Sequence, residues 1–142
     1  MKHFLVDTNV VIDFLIDRKP FSMDAAKLFD LSERNQVRLY LTAVSYNNIY
    51  YIVKKNSTHS FTIKTMKQLE SMTETIETNV GVLRDSLNSE FKDFEDALQY
   101  YSALTVKKID AIVTRNASDF KHSKISILTP EEALMLIQSA TR

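Results

Sequence analysis

Five polar side chains from four separated stretches have types and positions suited to hydrolytic metal chemistry: Asp7, Asn48, Asp93, Asp96 and Asp119. Asp7 closes an apolar run, His3-Phe4-Leu5-Val6. Asp93 and Asp96 open a helical stretch and, three residues apart, share one helical face. Asp119 follows a second apolar run, Ile109 to Thr114, after Arg115-Asn116. Asn48 lies in the second turn of a helix that begins at Thr42. Carboxylates gathered in one crevice repel each other, and a hard divalent cation relieves that repulsion. Mg²⁺ suits such a set, because it takes carboxylate oxygens, retains water, and completes its shell with phosphate oxygens. A cation held there activates water and stabilises charge on a phosphodiester.

The elements that must position these groups are legible as patterns. His3–Val6 predicts a strand buried on both faces. Short helices are predicted over Val10–Ile16 and, with Ser22 as N-cap, over Met23–Glu33. Arg38–Leu41 is a second strand, Thr42–Lys55 a helix, and Phe61–Thr73 another. Asn56–Ser60 reads as the loop between those helices, and Ile76–Val80 as a weak third strand. Asp93–Val106 is a strong helix, Ile109–Thr114 a strand, and Ile125–Leu128 the last strand. Thr129 as N-cap, Pro130 at the first helical position and Glu131-Glu132 in the first turn start a final helix.

Strands alternating with helices imply a parallel, doubly wound sheet. In such a sheet the helix N-termini lie at the edge where the strands end, and ligands bind there. That topology delivers all five polar positions to one edge.

Composition sets the limits. A chain of 142 residues suits one domain spanning 1–142, and one that size buries roughly 68% of its unfolded surface. One Gly and two Pro leave too few turn residues for an all-β sandwich. The absence of Cys excludes disulfides and thiolate metal sites and fits a reducing cytoplasm. Asp7, Asn9 and Asp13 interrupt the apolar N-terminus, which therefore does not read as a signal peptide. Leu39–Val53, the longest uncharged stretch, is too short and polar to span a bilayer. Eighteen basic and eighteen acidic side chains cancel, so any attraction to nucleic acid must be local. Arg115 and Lys121, flanking Asn116–Asp119, are the candidate RNA contacts.

Each residue also has a plainer reading. Asp93 is a natural N-cap, with Asp96 at N3 favoured by the helix dipole. Asp7 could begin a turn, and Asp119 could cap a short segment. Asp13 and Asp17 read as solvated. His3, His59 and His122 show no ligand spacing, and Tyr46, Tyr50 and Tyr51 read as packing residues.

Three stretches together resemble the motifs of PIN domains, the fold of VapC-type toxins: Asp7-Thr8-Asn9-Val10 after the first strand, Asp93-Phe94-Glu95-Asp96-Ala97-Leu98-Gln99, and Ile112-Val113-Thr114-Arg115-Asn116-Ala117-Ser118-Asp119-Phe120. The resemblance implies a three-layer α/β/α sandwich with a short parallel sheet, order near 3-2-1-4-5. It implies Mg²⁺- or Mn²⁺-dependent hydrolysis of RNA by an endoribonuclease, with Asp7, Asp96 and Asp119 holding metal. Asp93 would stand with them, orienting ligands or waters together with Asn9 and Asn116. A co-expressed antitoxin inserting into the groove and a homodimeric state are implied as partners. The family's second motif normally offers a Glu where this chain has Asn48, an amide that can ligate through oxygen or hold a water but adds no charge. A non-cleaving module that binds RNA or protein is the second class. Phosphoryl transfer on a similar sheet is a third class and is disfavoured, because Asn9 replaces the second Asp of an Asp-x-Asp and Asn79-Val80-Gly81 offers no phosphoacceptor.

Overall fold

The structure is a computed structural model that describes residues 1–140; residues 141–142 of the expected domain lie outside the described residues. Five parallel strands, β1 (Lys2–Val6), β2 (Val37–Thr42), β3 (Glu74–Ile76), β4 (Ala111–Val113) and β5 (Ser126–Leu128), form one sheet in the order β3-β2-β1-β4-β5. This is the order expected from the resemblance. The helices are α1 (Thr8–Leu15), α2 (Ser22–Glu33), α3 (Ala43–Lys54), α4 (His59–Ser71), α5 (Val80–Leu87), α6 (Phe94–Leu104) and α7 (Pro130–Ala140), with a 3₁₀ turn at Ala117–Phe120.

β1 sits at the centre because it can be buried from both sides. Phe4, Leu5 and Val6 are all fully buried, and they alternate between two cores. Phe4 and Val6 join Val10, Leu28, Phe29, Leu39, Leu41, Ile49 and Ile137 on one face. Leu5 and Ile112 join Tyr100, Ala103 and Phe120 on the other. The sheet is thus sandwiched between helical layers, and Phe4 pairs with Leu39 on one side and Ala111 on the other.

Most boundaries follow their caps. Thr42 Oγ1 accepts from Ser45 N (3.2 Å) at the start of α3, and Thr58 Oγ1 accepts from Phe61 N (3.1 Å) at the start of α4. Thr129 and Glu132 form a reciprocal capping box, with Thr129 N donating to Oε1 (2.9 Å) and Glu132 N to Oγ1 (3.2 Å). Asn35, in the left-handed region at φ 59°, turns the chain out of α2.

Three expectations are corrected. Ser22 is already helical, with Phe21 at the N-cap position and no side-chain cap bond. The third strand ends at Ile76, because Asn79 Oδ1 accepts from Val82 N (2.9 Å) and starts α5, a helix the residue pattern did not suggest. Asp13 is not solvated: it is 1% exposed. Among the described residues no helix is long and apolar enough to cross a membrane.

Candidate active site at the carboxyl edge of the sheet

Asp7 stands where β1 becomes α1. It occupies the N-cap position but makes no side-chain cap bond, because both its oxygens are engaged elsewhere. Thr114 Oγ1, just past β4, donates to Oδ2 (2.7 Å), and Gln99 Nε2 of α6 donates to Oδ1 (3.1 Å). Burial pushes the Asp7 carboxyl above the usual range; the hydrogen bonds from the Thr114 and Gln99 side chains pull against that shift, and the nearby Asp119 adds to it.

Asp93 and Asp96 meet both readings. Asp93 caps α6, its Oδ1 accepting from Asp96 N (3.0 Å). Asp96, half-buried one turn in, has its carboxyl pushed up to about 7, first by burial and then by Asp7, Asp93, Asp119 and Glu95. The four predicted carboxylates therefore come together around Asp96, and a fifth, Glu95, joins them.

Glu95 is the residue that sequence reasoning missed. Its Oε2 accepts from Asn48 Nδ2 of α3 and from Thr8 Oγ1 (3.3 Å). Burial raises its carboxyl, against the Asn48 hydrogen bond and together with Asp7. One signal could have found it: Glu95 and Gln99 lie i, i+4 on one face of α6, and Gln99 is bound to Asp7.

The remaining predicted residues divide. Asp119 is exposed on the 3₁₀ turn, which Asn116 starts by accepting from Asp119 N (3.0 Å) while its own N–H donates to Thr114 Oγ1 (3.1 Å). Asn9 and the Asn116 side chain are exposed beside Asp7 and Asp119 in sequence. Lys121 lines a cleft with Asp93, Asp96 and Asp119, and Lys92 and His122 line it too. Arg115 is held in the fold: Nε donates to Asp13 Oδ2 (2.6 Å), Nη2 to Oδ1 (3.2 Å), and its guanidinium carbon lies 4.0 Å from the Phe21 ring centroid.

Without metal, the raised Asp96 carboxyl makes stability depend on pH with a definite sign. Between the ordinary value of 3.8 and about 7 the folded state holds a proton that the unfolded chain has lost. That contribution is complete below about pH 4 and disappears as pH rises through about 7. Because Asp96 is half exposed, solvent screening reduces it to about 1 kcal/mol, or about 4 °C. Melts of chelator-treated protein at pH 5 and pH 7.5 should show this fall, and Asp96→Asn should reduce it, leaving the part that the raised Asp7 and Glu95 carboxyls contribute with the same sign.

The family model for the PIN domain matches residues 3–118, and the chain belongs to the PIN domain family. Comparison with curated protein sequences gives no match. Among solved structures, the chain is similar to one chain of DNA-bound VapBC from Salmonella typhimurium (TM-score 0.66, 18% identity, covering 92% of this chain and 99% of that one). It is similar to a chain of a toxin–antitoxin complex from Klebsiella pneumoniae (TM-score 0.65, 21% identity, 89% and 96% covered). A third similarity is to a chain of VapBC2 from Rickettsia felis bound to a DNA fragment from their promoter (TM-score 0.63, 16% identity, 89% and 98% covered).

Proposed function

We propose that this chain is a single PIN domain acting as a divalent-metal-dependent endoribonuclease, the toxin component of a toxin–antitoxin pair in the cytoplasm. The observation that carries this reading is the gathering of four further carboxylates around Asp96 at the edge where the strands end. Among the described residues no three His, Cys, Asp or Glu side chains stand close enough to enclose one ion. The donor set therefore fits a cation that keeps waters and meets part of its carboxylate set through them, as Mg²⁺ does, and does not fit a closed cage.

Asp7, Asp96 and Asp119 are the residues that would hold Mg²⁺ or Mn²⁺, with Asp93 beside them. The bound ion supplies Lewis acidity and an activated water. Thr114 and Gln99 keep the Asp7 carboxylate in one orientation by occupying an oxygen each. Asn9 and Asn116 orient ligands or water. Lys121 and Lys92, lining the same cleft, meet RNA phosphates. The similarity to chains of VapBC complexes supports an antitoxin partner that closes the cleft, and self-association into a homodimer belongs to the same reading.

Cleavage of a structured RNA should appear as Mn²⁺ or Mg²⁺ is added to metal-stripped protein and vanish with chelator. RNA binding without cleavage at every metal concentration would favour the second reading, a PIN-fold binding module, which the uncharged Asn48 supports. Lys121→Ala should weaken RNA binding and reduce its salt slope by about 0.7, one phosphate contact for a single strand. A titration across salt concentrations measures this, and an unchanged slope would place the RNA away from the cleft.

A further inference from the structure

The PIN resemblance places a Glu where this chain has Asn48. We propose that Glu95 supplies that missing carboxylate to the cation from α6, and that Asn48 is its positioning residue; the inference rests on the metal-dependent reading above. Asn48 Nδ2 and Thr8 Oγ1 converge on one oxygen, Glu95 Oε2, and no side chain among the described residues donates to Oε1. A carboxylate fixed through one oxygen with the other left open is arranged to serve a further partner.

The arrangement ties Glu95 to the same centre as Asp7. Thr8 follows Asp7 in the chain, and Thr8 N donates to Gln99 Oε1 (3.2 Å) while Gln99 Nε2 holds Asp7 Oδ1 (3.1 Å). The single Thr8 hydroxyl proton is shared between Glu95 Oε2 (3.3 Å) and Ser45 Oγ (2.7 Å), the latter one turn before Asn48 on α3. The first turns of α1, α3 and α6 are thereby locked together around two carboxylates. Asp7 and Glu95 both act on Asp96 through space, so Glu95 belongs to this cluster and not to a separate surface pair. A Glu at position 48 would set two negative groups against each other where the amide instead donates to Glu95. Moving the charge from α3 to α6 therefore requires an uncharged donor at position 48, which is what the chain has.

The alternative is that Asn48–Glu95 is only a tie between α3 and α6. Mn²⁺ affinity, measured by calorimetry without RNA, separates the two, with metal-free melts run beside it. Glu95→Gln keeps an acceptor for Asn48 but loses the charge, and should raise the Mn²⁺ dissociation constant at least about tenfold, or 1.4 kcal/mol. Asn48→Ala should weaken Mn²⁺ about tenfold in the native background and hardly at all beside Glu95→Gln, since it acts through that carboxylate. The exchange Asn48→Glu with Glu95→Gln returns the charge to α3 and should recover most of the affinity. Asp96→Asn is the control. If Asp96→Asn weakens Mn²⁺ while Glu95→Gln does not, or the exchange is as weak as Glu95→Gln alone, the proposal is overturned and the metal reading stands. If Asp96→Asn also leaves Mn²⁺ binding unchanged, both fall.

Discussion

Asp7→Asn should lower the rate of RNA cleavage at saturating Mn²⁺ by about 10³-fold, the loss of about 4 kcal/mol of metal-derived stabilisation. In the same variant the metal-free protein should melt at the wild-type temperature or above it. The opposite signs follow from the geometry. Asp7 is 3% exposed and its charged form is disfavoured by burial. An amide can take its place: Oδ1 accepts from Gln99 as before, and the new amino group donates to Thr114 Oγ1, which has a second lone pair available. The Thr114 hydroxyl proton, which Asp7 Oδ2 accepts in the native chain, loses its acceptor, and removal of the buried charge offsets that cost. Cleavage kinetics and chelator-treated melts on one preparation check both halves. A variant that cuts at the wild-type rate would remove Asp7 from the chemistry; one that loses activity only because it unfolds would show Asp7 to be structural.

Arg115→Ala should be among the most destabilising single changes in the chain, at about 3 kcal/mol and roughly 10 °C in melting temperature. Asp13, 1% exposed, is held by two Arg115 nitrogens at 2.6 and 3.2 Å and by Arg18 at 3.5 Å. Arg18 is 39% exposed and its attraction is screened, so truncating Arg115 leaves a buried carboxylate nearly alone. The packing of the guanidinium on Phe21 is lost as well. Replacing both partners, Asp13→Leu with Arg115→Met, should recover most of the loss, because the penalty comes from the unpaired charge. Thermal melts of the single and double variants decide this. If Arg115→Ala melts within 2 °C of wild type, the pair is ornamental, and a fall in the salt slope of RNA binding would then return Arg115 to the cleft.

These expectations separate what the amino-acid order determined from what only assembly could decide. The central strand was legible because three consecutive apolar residues, Phe4-Leu5-Val6, require burial on both faces. The edge carrying the site followed from strand–helix alternation, and Asp93 and Thr129 announced their helices because a cap bonds the backbone three residues away. All of these signals are local or periodic. The errors at Asp13 and Glu95 have the opposite property, whereas the missed Asn79 cap is as local as those of Asp93 and Thr129. Asn79 and Val80 suggested strand until the chain turned into α5, whose buried face is Val82 and Ser86 while Val80, Leu83 and Leu87 lie exposed. Asp13 looked solvated because the cation that makes its burial tolerable comes from position 115, on the far side of the sheet's central pairing. Glu95 looked like one more acid in a helix's first turn, and only the approach of Asn48 and Thr8 from two other helices gives it a place in the site. Whether a charge is buried, paired or aimed depends on which distant side chain arrives beside it, and neither propensity nor spacing records that meeting.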